Sequence, residues 1–403
     1  MKNDRTSIRP DGRKLRQAPG FPPALAAFFL IGISQSSTGP LLPLFEERFG
    51  AGAGGASLLI TSYFAGALAA MTATSASRMP ESRIILPAAL VYSLGCGGVF
   101  FSADLWLTAS SCLFAGFGSG VLILAVNSIF ARQQDGVSLV NLVNGMFAAG
   151  TITGPLIASV SISTGRPYGF LVAAVGALLC VRVRRVAEFQ ADPAHTGMDI
   201  DTDTGAGTGT DTGTGTRTAE EGRPGAARSA SFVGFFLLYA LYGGIETGIG
   251  SWAAKHIVHE GFTDSSSARV LAVFWAGTAL SKFLMVPLAS RVAAPRVVTV
   301  GLLGTAGGLL LATAPGMTLA GYSLAGLFLG PVFPTGLAWI AKAGGDRRTT
   351  GLAASSSMVG SIVFPAATGW LVAVQGPGPI PLAIAGLAVC AAIAAHRTAV
   401  VRA

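Results

Sequence analysis

Charge is what this sequence has least of. Only 11% of its 403 residues are charged, against about a quarter in an average soluble domain. So few charges cannot cover a water-soluble globule of this length, which excludes an ordinary soluble fold. Cysteine is also scarce. Cys96, Cys112, Cys180 and Cys390 all fall inside apolar stretches, so neither a disulfide framework nor a metal-type cysteine spacing exists. The four histidines, His195, His256, His259 and His396, read as linker, external-loop and tail residues. None is then able to meet a buried carboxylate, serine or metal at the centre of the apolar segments, which removes most hydrolase and metalloenzyme schemes. His256 and His259 with Glu260 read as a solvated loop, a surface metal site being the alternative. No Gly-Lys-Ser/Thr phosphate-cradling loop occurs, which excludes direct ATP drive by this chain. No cofactor and no catalytic residue is expected.

Apolar length is what the sequence has in abundance. It is 51% hydrophobic with a mean hydropathy of +0.61, and apolar runs long enough to cross a hydrocarbon core of about 30 Å recur throughout. Spans are read near 21–44, 55–77, 84–103, 105–130, 137–161, 166–181, 231–253, 266–289, 296–314, 317–340, 349–374 and 379–396. Of the 27 Lys and Arg residues, Arg48, Arg166, Lys255 and Arg269 fall on one side of these spans and Lys282 falls inside one. The remainder lie on the other side, which the positive-inside rule makes cytoplasmic, with both termini there. The net charge of +8 is thus a topology signal, and nucleic-acid binding is not expected. The leader, residues 1–20, is polar and basic without a signal-peptide pattern and reads as a cytoplasmic tail, with 397–403 its counterpart.

Composition divides the chain. Residues 182–230 change abruptly to Asp, Thr, Gly and Arg, with near-repeats of Thr-Gly between Thr202 and Thr218. Such a segment buries no apolar surface and is expected to be a disordered cytoplasmic linker. It separates a first bundle, 21–181, from a second, 231–396. At a fixed offset of 210 residues, Gly116 matches Gly326, Gly120 matches Gly330, Arg132 corresponds to Lys342, Gly150 matches Gly360 and Pro155 matches Pro365. Parallel repeats of this kind place a binding site at the interface between the halves. The glycines four apart permit close helix packing. Pro40, Pro43, Pro155, Pro331, Pro334 and Pro365 interrupt helix hydrogen bonds, which a membrane tolerates where protein or a water-lined cavity surrounds the freed carbonyls.

This arrangement resembles the major facilitator superfamily over residues 21–396 apart from the linker. The runs Tyr242-Gly-Gly-Ile-Glu-Thr-Gly-Ile-Gly-Ser-Trp252, Phe274-Trp-Ala-Gly277, Ser281-Lys-Phe, Pro287-Leu-Ala-Ser-Arg291 and Gly330-Pro-Val-Phe-Pro334, with Asn141-Leu-Val-Asn144 and Gly154-Pro155, are similar to its fucose permease and glucose/mannose symporter branch. The resemblance implies an all-α membrane protein of about twelve helices in two pseudo-symmetric six-helix bundles. It also implies a monomer in a cell membrane, with composition pointing to the bacterial cytoplasmic membrane. Two departures stand out. The Asp of the Asp-Arg pair that the family carries after spans two and eight is missing from Ser77-Arg78 and Ser290-Arg291. The buried first-half carboxylates of fucose permease are replaced by a neutral residue, Asn127.

Glu246 is the one acidic residue well inside a span. A charge there costs about 2.5 to 3.5 kcal/mol on insertion scales, so such residues face a cavity or a partner. Glu246 is the proton-coupling candidate. Tyr239, Tyr242 and Gly250 share its helical face. Trp275, Thr278 and Lys282 have matching spacing in the next span, with Lys282 either a charge partner of Glu246 or snorkelling to the boundary. Gln35, Asn127 and Asn144 offer neutral amides from the first half, and Tyr239, Tyr242 and Trp275 offer rings and hydroxyls to a polyol. The expectation is a secondary transporter for a neutral sugar or polyol, with a proton as candidate coupling ion. An efflux carrier for a drug-like or secondary metabolite is the alternative within transport. A non-transporting membrane sensor or lipid-handling protein is the alternative outside it.

Overall fold

The computed structural model describes residues 21–77, 79–131, 136–179, 225–285, 291–343 and 347–402. Arg78, Arg132 and Cys180, and the expected linker as far as residue 224, lie outside the described residues. Every element is helical: α1 (Phe21–Ser37), α2 (Leu42–Phe49), α3 (Ala53–Ala76), α4 (Glu81–Phe101), α5 (Leu105–Ala131), α6 (Gly136–Thr164), α7 (Tyr168–Leu179), α8 (Gly225–His259), α9 (Asp264–Met285), α10 (Ala294–Leu311), α11 (Thr318–Leu329), α12 (Val332–Lys342), α13 (Arg347–Gln375) and α14 (Ile380–Arg402). In hydrocarbon the backbone must satisfy its own hydrogen bonds, and the helix does so within one segment. Hydroxyls follow the same rule: Ser36 and Ser37 donate to the carbonyls of Gly32 and Ile33 at 2.8 and 2.7 Å.

Among the described residues, nine helical stretches are long and apolar enough to cross a membrane, and a tenth is the α1–α2 pair, bent by 60°. The bend falls at the Gly39-Pro40 turn. The first expected span is therefore two helices, because Pro40 and Pro43 deny it continuous amide donors. The stretch Thr318–Ile340 is interrupted at Gly330 and Pro331, between α11 and α12, without such a bend. The remaining expected spans correspond to α7, only 12 residues long, and α9. Side chains on the outside are apolar and bare: Leu94, Phe101, Trp106 and Trp370 are all more than two-thirds exposed. A face of that kind belongs against lipid. The chain is a multi-pass helical membrane protein.

The two halves repeat one packing scheme. In the first, α3 packs on α5, α5 on α4, α4 on α7, α7 on α1 and α1 on α6. In the second, α9 packs on α11, α11 on α10, α10 on α14, α14 on α8 and α8 on α13, the same order one repeat later. The matched glycines occupy equivalent contacts. A Cβ on Gly116 would lie 1.8 Å from the Tyr63 carbonyl oxygen, and one on Gly326 2.3 Å from that of Phe274. For Gly150 the clash is with the Phe29 carbonyl at 2.1 Å, for Gly360 with that of Ala240 at 1.7 Å. The halves meet chiefly through α3 on α13 and α6 on α9.

Two boundaries differ from expectation. Helix α8 begins at Gly225, so residues 225–230, expected in the linker, extend it. It also runs on to His259, because no breaker follows Trp252 in Ala253-Ala254-Lys255-His256. His256, expected in a solvated loop, is consequently buried, with its Nδ1 3.3 Å from the Tyr322 hydroxyl and its Nε2 3.6 Å from Glu260.

Candidate functional site

A cavity of about 1570 Å³ lies between the halves, lined by residues of both. It is closed at one end by direct contacts across the seam. Lys255 of α8 forms an ion pair with Glu46 of α2. The Ser159 hydroxyl of α6 and the Ser265 hydroxyl of α9 are 2.5 Å apart. Gly39 lies so close to α8 that a Cβ on it would sit 1.9 Å from the Gly250 carbonyl oxygen. At the other end the lining continues through Thr74, Ser77, Met79 and Glu81 to the exposed turn joining α3 to α4.

The polar groups concentrate in depth. From α8, Glu246 is half-buried in the wall, and the Tyr242 hydroxyl donates to its Oε1 at 3.0 Å. One helical turn separates the two residues, so the contact follows from their i,i+4 spacing. Trp275 of α9 reaches the same region: its ring lies against Gly250, with Cζ2 3.0 Å from the position of a Cβ there. Its indole N–H is buried without a protein acceptor among the described residues. Lys282, two helical turns along α9, also lines the cavity. It makes no direct ion pair with Glu246, although both line the same cavity.

The first half answers with amides. Gln35 of α1 lines the cavity, and no protein partner of its side chain is found among the described residues. Asn127 of α5 and Asn144 of α6 both line it, joined by an Nδ2-to-Oδ1 bond of 3.2 Å, and Asn144 also donates to the Val140 carbonyl at 2.7 Å. A neutral amide pair of this kind presents donors and acceptors without the desolvation cost of a charge. Asn141 contributes no described side chain.

Tyr239, expected beside these groups, is not in the lining. Its hydroxyl donates to the Phe333 carbonyl at 2.9 Å and its ring packs edge-on against the Phe333 ring at 5.1 Å. Phe333 itself faces the cavity and touches the Tyr242 ring at 5.3 Å. Helical spacing gives Tyr239 and Glu246 nearly the same azimuth; Phe333 of α12 packs on Tyr239 and takes its place in the lining. Thr278, expected on the Trp275 face, back-bonds to the Trp275 carbonyl at 2.7 Å. The groups left without a role of their own in the sequence are Phe333, Thr247, whose hydroxyl donates to Ser361 at 2.7 Å, and the Lys255–Glu46 pair. Phe333 and Thr247 fall in runs that carry the family resemblance; nothing signalled the ion pair.

Two bundles of one packing scheme around a central cavity define the class: the chain is a polytopic helical membrane protein, and its fold is that of solved transporters. Among solved structures it is similar to the nucleoside transporter NupG, at a TM-score of 0.70 and 12% identity over 94% of this chain and 99% of that one. It is also similar to the peptide transporter POT, at a TM-score of 0.71 and 14% identity over 95% and 96%. The E. coli fucose:proton symporter FucP aligns at a TM-score of 0.59 and 17% identity over 94% and 98%. No protein-family model matches the sequence, and no curated protein matches it.

Proposed function

We propose that the chain is a secondary transporter that moves a small, neutral, polyhydroxylated solute by alternating access, with Glu246 as its proton carrier. The observation that carries this is the place of Glu246: among the described lining residues it is the one carboxyl in the depth of the cavity, Glu81 standing at the mouth. A deep carboxyl with a tyrosine hydroxyl on one oxygen, unblocked by a direct cation, is able to take up a proton and a solute hydroxyl in turn. Gln35, Asn127, Asn144, Tyr242 and Trp275 surround the solute with amides, a hydroxyl, an indole N–H and ring faces, the complement of a polyol. On this reading α1 to α14 form twelve crossings, with α1–α2 and α11–α12 each counted once. Both termini and the open mouth are cytoplasmic, and the structure is the inward-facing state of a monomer.

The test is transport in liposomes under an imposed pH gradient, comparing labelled hexoses with amphipathic dyes. Hexose accumulation that Glu246→Gln abolishes, while gradient-free hexose exchange persists, is the expected result. Accumulation undiminished by Glu246→Gln removes the proton-carrier role. One observation favours a second reading: Phe28, Phe64, Met71, Phe147 and Met358 give much of the wall an apolar surface, which suits an amphipathic metabolite leaving the cell. Dye movement without hexose movement would select it.

A further inference from the structure

A second pocket, of about 630 Å³, lies at the end of the second half where the main cavity opens, between α9, α10 and α12. Its lining holds three cations, Lys282, Arg291 and Lys342, and no acidic residue among the described residues. All three are exposed, and none makes an ion pair among the described residues. Topology accounts for cations at this end of a membrane protein, but not for their convergence from three elements on one concave site. The floor adds a fixed positive end. Ala293, Ala294 and Pro295 line it, and they form the first turn of α10, whose N-cap position carries no side-chain acceptor. The positive end of the helix dipole points outwards there, while Pro295 has no N–H and the Arg296 and Val297 amides donate to the Ala293 carbonyl at 2.9 and 3.2 Å. Trp339 and the prolines Pro331 and Pro334 supply an apolar wall.

We infer that this pocket binds a phosphate-bearing anion, its charge held by Arg291, Lys342 and the α10 N-terminus. Basic pockets between membrane helices take up anionic lipid headgroups in this way, and a free phosphate has the same chemistry. Lys282 lines both this pocket and the central cavity. Occupancy therefore draws its ammonium towards the phosphate and away from Glu246, which ties the peripheral site to the central one.

The experiment uses the full chain in detergent, titrated with short-chain phosphatidylglycerol, short-chain phosphatidylcholine or inorganic phosphate, and read by native mass spectrometry. Saturable binding of phosphatidylglycerol over phosphatidylcholine is expected. Its weakening of about thirtyfold in Arg291→Gln/Lys342→Gln follows from roughly 1 kcal/mol for each lost cation. Phosphatidylglycerol bound in the presence of excess phosphate identifies a lipid headgroup site; full displacement by millimolar phosphate identifies a soluble phosphate site. Arg83→Gln/Arg296→Gln removes two cations near the same end from outside the pocket. Equal losses in both double variants, or no saturable binding of either probe to the unaltered chain, overturns the inference. Thermal unfolding of each variant separates lost binding from lost structure.

Discussion

At the residue scale the site turns on how a lone carboxyl is held. The Tyr242 hydroxyl is the one hydrogen bond to Glu246 found among the described residues. A hydrogen bond to a charged group contributes about 1.5 to 3 kcal/mol net, so Tyr242→Phe is expected to lower gradient-driven uptake by about one to two orders of magnitude. Because the two residues act together, a double-mutant cycle with Glu246→Gln should be strongly non-additive; additive losses would mean that the hydroxyl serves packing alone. Glu246, Gln35, Asn127, Asn144, Tyr242 and Trp275 were legible in the sequence because a polar group amid apolar spans has few places to go. Tyr239 was not. Periodicity fixes the direction in which a side chain leaves its helix, but not which neighbouring helix lies across that direction, and Phe333 comes from a segment 94 residues away.

At the scale of the element, glycine decides how closely helices approach. The Gly150 and Gly360 positions press on carbonyl oxygens of α1 and α8, where a methyl group would overlap backbone. Backbone cannot yield as a flexible side chain does, so Gly150→Ala and Gly360→Ala should each cost on the order of 1 to 3 kcal/mol, read as a lower unfolding temperature. Gly307 in α10 has nothing within 4 Å of a built Cβ. There, Gly307→Ala should be neutral or stabilising by up to about 1 kcal/mol, since alanine is the better helix former. Equal effects at all three positions would contradict the packing account. The helices and their repeat were readable from apolar run length and the fixed 210-residue offset. The bend in the first span and the two-residue interruption in the tenth were signalled only by proline, which marks a weak point without stating whether the chain bends there. The length of α8 escaped detection because Ala-rich, weakly polar flanks look alike on either side of a membrane boundary.

For the whole molecule the question is what keeps one end shut. Three contacts join the halves there, and none was visible in the sequence, since residues 209 positions apart, such as Glu46 and Lys255, carry no mark of their pairing. Cysteines at positions 159 and 265, where the serine hydroxyls are 2.5 Å apart, should form a cross-link on oxidation. That bond should stop transport, and reduction should restore it; undiminished transport in the oxidised protein would mean that the halves do not part at this end. Removing the Lys255 charge tests the same motion more gently. Lys255→Met should raise thiol labelling of a cysteine at position 251 from the far side, and the exchanged pair Glu46→Lys/Lys255→Glu should bring it back down.

Where Gly39 meets Gly250, main chain rests on main chain with no side chain interposed. Such a seam has no interlocking shapes to disengage and no rotamers to reset before it opens. Its parting is a sliding of smooth surfaces, so the pace of cycling falls to the few polar clasps around it, and any bulk added at residue 39 becomes a wedge that keeps the door ajar.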